Sequence, residues 1–118
     1  MTETMTDLKG RERDVLNVRL PRDGQKDIKL RGVELSEVSS KWHRGEAQNR
    51  WTEISLYKSC SGKLVAYVCG RTQWQGEQDR HAVHVCETQE ELINDLGTGW
   101  LAKEAYEEAG IECVEEVV

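Results

Sequence analysis

From Trp51 to Glu87 apolar and polar residues alternate, and after Thr88 the apolar residues recur at helical spacing; this change of period limits the fold more than any other feature of the sequence. In Trp51 to Lys58, WTEISLYK, Thr52, Ile54 and Leu56 share one strand face, and Trp51, Glu53, Ser55 and Tyr57 share the other. Ser59 to Gly62 has turn composition, and Lys63 to Thr72, KLVAYVCGRT, is rich in Val and Tyr, so the two runs predict a hairpin. The polar loop QWQGEQDR follows, and His81 to Glu87, HAVHVCE, alternates Val83 and Val85 with His84 and Cys86 as a third antiparallel strand.

Upstream, Leu16, Val18 and Leu20 alternate with Asn17 and Arg19, Pro21 to Gly24 supplies a turn, and Ile28 and Leu30 alternate with Lys29 and Arg31, a second hairpin that Gly32 interrupts. Ser39 to Arg50 is polar and basic, an exposed connection. Residues 1–12 are polar and without periodicity, which predicts a flexible tail before a single domain over 13–118. Downstream, Thr88 and Glu91 fit a capping box opening a helix from Gln89 to Leu96 that stops at Gly97. Thr98 is placed to cap a second helix with Leu101, Ala102, Ala105, Tyr106 and Ala109 inward and Gly110 at its end. The expected fold class is α+β: a small antiparallel sheet of about four or five strands with two C-terminal helices packed on one face.

Core size follows from composition. With 118 residues, 37% of them hydrophobic and no Phe, the chain must build its interior from Val, Leu, Ile, Trp and Tyr, leaving little room for a buried catalytic cavity. No run approaches the roughly 18 apolar residues of a membrane span, and MTETMTDLKGRERD has no apolar signal region, so a cytoplasmic protein without membrane contact is expected.

The net charge of -6 is unevenly spread. From Glu87 onward ten carboxylates face the single Lys103. Such a field repels phosphates and suits either a solvated face or a surface complementary to a basic protein partner. Trp42, His43, Arg44, Arg50 and Trp51 combine aromatic rings and cations, but on so acidic a chain direct nucleic-acid binding is not expected. Trp74 lies in a polar loop, where an indole either folds back onto the sheet or anchors a partner.

Cys60, Cys69, Cys86 and Cys113 contain no CxxC pair, so reduced thiols are expected and neither a zinc ribbon nor a disulfide framework is. His84 and Cys86, two apart on a strand, with Cys69 on the neighbouring one, are the candidates for a metal site. A catalytic reading would use Cys69 or Cys86 as nucleophile and His81 or His84 as base, oriented by Glu77 or Asp79. No GxGxxG, P-loop or HExxH is present, and no cofactor is expected.

The stretch RWTEISLYKSCSGKLVAYVCGRTQWQGEQDRHAVHVCETQEELI, Arg50 to Ile93, resembles the central block of small proteins encoded on bacterial prophages and other mobile elements, in which an RWTEI-LY strand precedes a Gly turn, a second strand and a polar loop. The resemblance covers under half of the chain. It implies a stoichiometric antagonist of host defence, of the anti-CRISPR kind, and brings no catalytic residues. The leading expectation is therefore a non-enzymatic binding protein that occludes a protein partner with a basic surface. Glu104, Glu107 and Glu108 would meet Lys and Arg of the partner, and Trp74 or Trp42 would supply the apolar anchor. The alternatives are a small Cys/His metal-binding or catalytic module and an oligomerising domain that uses an exposed edge strand.

Overall fold

A computed structural model describes residues 3–42 and 49–117. Seven strands precede two helices: β1 (Thr4–Thr6), β2 (Glu12–Asp14), β3 (Leu16–Leu20), β4 (Ile28–Ser39), β5 (Arg50–Ser59), β6 (Leu64–Thr72), β7 (Arg80–Cys86), α1 (Gln89–Leu96) and α2 (Trp100–Ala109). β3 to β7 form one antiparallel sheet in sequence order, as the run of hairpins requires, and β1 and β2 pair separately. The architecture is α+β, as expected from the sequence.

Strand alternation gives the sheet two different faces. Ile54 and Leu56 of β5 lie with Leu64 and Ala66 of β6 against the helices, whose inward residues are Leu92 on α1 and Leu101, Ala102, Ala105, Tyr106 and Ala109 on α2. Tyr57 and Val65 project from the opposite face into a second cluster with Leu20 and Leu30. A flat five-stranded sheet would hold β3 far from β7, yet the turn after β3 reaches β7. The Asp23 amide donates to the His81 carbonyl at 3.1 Å, and the His81 amide donates to Asp23 Oδ2 at 2.9 Å. The sheet is thus curled enough for its first hairpin to shelter the second cluster.

Gly32 does not interrupt the strand as expected. β4 runs through it, pairing with β3 up to Leu16↔Gly32 and with β5 from Gly32↔Ser59 onward, with a bulge between Glu34 and Ser36. At this crossover a Cβ would stand 2.1 Å from the Lys58 carbonyl oxygen, so the position excludes every side chain.

Residues 1–12 were expected as a flexible tail, but Thr4–Thr6 within them pairs with Glu12–Asp14 as the β1–β2 hairpin. Its turn is organised by Asp7, a buried carboxylate that accepts from the Lys9 and Arg11 amides and from Arg11 Nε and Arg13 Nε. Burial pushes its pKa up, but those four bonds outweigh burial and hold it at about 2. Met5, Leu8 and Val15 then pack on the helix-side core.

The helix boundaries follow the capping chemistry. Thr88 accepts from the Glu91 amide, and the Glu91 side chain reaches back to the amide of Glu87, one residue before the cap. Gly110, at φ 83°, ends α2 in the left-handed conformation, and buried Ile111 folds back with its amide on the Tyr106 carbonyl. The expected Thr98 cap is corrected: α2 is preceded by Gly99, which makes no side-chain capping bond.

Candidate functional site

Three groups of residues carry chemistry. The first is the outer surface of α2. With Leu101, Ala105 and Tyr106 turned to the sheet, helical geometry leaves Glu104, Glu107 and Glu108 on the exposed side, at i, i+3 and i+4. Among the described residues none of the three is in an ion pair. The acidic field continues onto β4, where burial, then Glu37, then Glu108 push the Glu34 carboxyl above its ordinary range, against the opposing pull of Arg13. No signal in the sequence joined Glu34 and Glu37 to the helix, because their approach depends on how α2 crosses β4.

The second group lies at the end of the sheet where β5 begins and β6 ends. Trp74 is 52% exposed; its amide donates to Thr72 Oγ1, and Arg50 stacks 6.0 Å above its ring. Arg50 is held by two bonds to Glu77, of 3.0 and 2.8 Å, and Glu77 also accepts from Thr72 Oγ1 at 2.7 Å. The indole has therefore partly folded back, onto a guanidinium rather than onto the core. Trp42 is 66% exposed, and the ammonium of its neighbour Lys41 sits 4.7 Å over Trp51. His43 and Arg44, the rest of the basic segment, lie outside the described residues. An open depression of about 360 Å³ among Arg50, Trp51, Arg71, Glu77 and Arg80 is lined by both charge signs.

The third group sits on the face opposite the helices. Arg71 bridges Glu53 and Asp79, each at 3.0 Å, and Trp51 Nε1 donates to Glu53. Beside it, Tyr67 Oη and Cys69 Sγ lie 2.6 and 3.6 Å from the same atom, His81 Nδ1. Cys69 and His81, one of the pairs that the catalytic reading allows, are thus together. The thiol is nonetheless 2% exposed, burial pushes its pKa up, and the Tyr67 hydroxyl is the closer partner of the imidazole nitrogen. A covered, protonated thiol is a poor nucleophile. Glu77 and Asp79 spend their bonds on Arg50, Arg71 and Thr72, and neither hydrogen-bonds the ring.

The metal candidates are separated by strand parity. In the β6–β7 register Cys69 pairs with His81 and Ala66 with His84, three positions away, so Cys69 points to the face opposite His84 and Cys86. The three cannot meet around one ion, and among the described residues no group of three His, Cys, Asp or Glu could hold a metal. Cys86 instead donates to Asp95 Oδ2 at 3.4 Å, and burial, then Asp95, push its thiol up to about 11. No helix is long and apolar enough to cross a membrane among the described residues.

No hydrogen bond among the described residues links Trp42 or Trp74 to the α2 carboxylates. Comparison with family models, curated proteins and solved structures found no match to the chain.

Proposed function

We propose that this chain is a non-enzymatic binding protein that docks the acidic surface of α2 and β4 on a basic surface of a protein partner and blocks it. The observation that carries this reading is the exposed surface of α2, where Glu104, Glu107 and Glu108 stand at i, i+3 and i+4; the Glu34 carboxyl on β4, raised first by burial, then by Glu37 and more weakly by Glu108, extends the acidic field beside it. Like charges at i, i+3 and i+4 on a helix cost folding stability, and no ion pair among the described residues offsets Glu104, Glu107 or Glu108. A solvated surface can keep charges apart; one that tolerates repulsion suits a cationic patch that relieves it on docking.

The half-exposed indole of Trp74, pre-positioned by the Arg50–Glu77 pair, supplies a rigid apolar contact at a second point, and Trp42 a third. The prophage-like pattern of Arg50 to Ile93 favours a partner from host defence whose basic surface otherwise holds nucleic acid, an antagonism of the anti-CRISPR type. The chain itself does not bind nucleic acid in this reading, since its field repels phosphate.

Capture of partner proteins from a bacterial lysate over a series of salt concentrations tests the reading. Steering by these carboxylates requires captured material to fall steeply as ionic strength rises. Capture that is indifferent to salt, or a specific shift of DNA or RNA by the chain at physiological salt, would contradict it.

A further inference from the structure

β7 is the outer strand of the sheet, and its exposed edge is blunted at one end only. The His81 amide and carbonyl point away from β6, because both are bonded to Asp23. Strand periodicity sends the amides and carbonyls of Val83 and Val85 to the same outer side, and none of these four groups has a partner among the described residues. Val85 is 48% exposed beside them. β7 contains no Pro, Lys or bulge to protect this edge.

We propose that a second copy of this chain docks on the β7 edge, antiparallel and two-fold symmetric about His84, to make a homodimer with a continuous sheet. The Asp23 cap decides the occupant. A longer foreign strand would have to dislodge Asp23 from His81 to extend its ladder, whereas a copy of β7 is shortened by the same cap. With His84 opposite its own equivalent, Val83 stands opposite Val85 of the other copy, and all four free backbone groups of each copy are paired by four hydrogen bonds in total. Registers shifted by one pair of residues in either direction bring His81 or Glu87 into the ladder and leave a Val group unmet. The ends are complementary in charge: Asp23 and exposed Arg80 of one copy meet exposed Lys63 and Glu87 of the other, which in each chain form an ion pair at 3.5 Å. Two Val83–Val85 contacts cover the apolar edge. This proposal is independent of the partner reading above, since it uses neither α2 nor the Trp residues.

Sedimentation velocity of the full chain from about 10 μM to about 1 mM, with reductant present to keep the exposed Cys60 from linking copies, tests it. A concentration-dependent monomer–dimer equilibrium is expected. Val85→Pro removes one outward amide without touching the β6 ladder, and Val85→Lys places two like charges at the seam on a half-exposed site; each is expected to weaken the dimer by at least about tenfold with the circular dichroism spectrum unchanged. The lysine variant keeps the result readable if the proline variant misfolds. A chain that stays monomeric throughout, including one that takes up foreign extended peptides instead, overturns the proposal, as does a dimer insensitive to the Val85 variants that fold.

Discussion

The hydroxyl of Tyr106 donates to the carbonyl of Gly97 at 2.6 Å, so α2 is tied to the C-terminal end of α1. Gly97 in turn donates its amide to the Ile93 carbonyl, and Tyr106 is 1% exposed, with burial pushing its phenol up to about 12. Removing only the hydroxyl leaves the half-buried Gly97 carbonyl short of a donor. Tyr106→Phe is expected to cost about 1–2 kcal/mol in urea unfolding with little change in m-value. An unchanged midpoint would mean that the two helices are joined by apolar packing alone.

Asp7 gives stability a defined pH dependence. Its folded pKa of about 2 lies below the ordinary 3.8, so the folded state binds fewer protons than the unfolded chain over that interval. The contribution of this carboxylate is complete above about pH 4 and is lost as pH falls through about 2. Asp7→Asn is expected to lower the thermal midpoint at neutral pH, and the gap from the parent chain should close as pH approaches 2. Equal gaps at neutral and acid pH would show that Asp7 acts by shape and not by charge.

The cysteines should separate by accessibility. Cys60 is exposed in the β5–β6 turn, Cys113 is half-buried, and Cys69 and Cys86 are each 2% exposed with thiols pushed up by burial. Mass-spectrometric mapping of a thiol-alkylating reagent at about pH 8 is expected to find Cys60 modified first and Cys69 and Cys86 modified only after denaturation. Rapid native labelling of Cys69 would revive the catalytic use of its contact with His81.

What could be read from the sequence was local. The alternation of Ile54 and Leu56 against Tyr57, the Thr88 cap and the Gly110 stop each need only a few neighbouring residues, and each appears where the pattern put it. Gly32 misled because a glycine in a strand signals either a break or a close approach, and the Lys58 carbonyl that decides between them is 26 residues away in the chain. The β1–β2 hairpin was invisible because a single buried carboxylate, not an apolar pattern, organises it. The metal grouping failed by register: adjacency of β6 and β7 was legible, but which face Cys69 takes relative to His84 depends on a one-residue choice of pairing. The α2 carboxylates were placed correctly on an outer face by spacing alone, whereas the influence of Glu108 on Glu34 required the crossing of α2 over β4.

The acidic surface of α2 as a docking face is tested most directly by moving its charge while holding net charge constant between two variants. In one, Glu104, Glu107 and Glu108 are each changed to Lys; in the other, the exposed Glu112, Glu115 and Glu116 beyond the helix are changed to Lys. Both change net charge equally and neither touches a buried side chain, so unfolding midpoints should stay close to that of the parent. Quantitative capture of lysate proteins by the parent and the two variants, at low and physiological salt, is the deciding measurement. The account predicts that the α2 variant loses its specific partner and the salt dependence of its capture, while the C-terminal variant retains both. Equal retention by the two variants would show that the α2 carboxylates serve only to keep the protein in solution, and would contradict the proposed docking face.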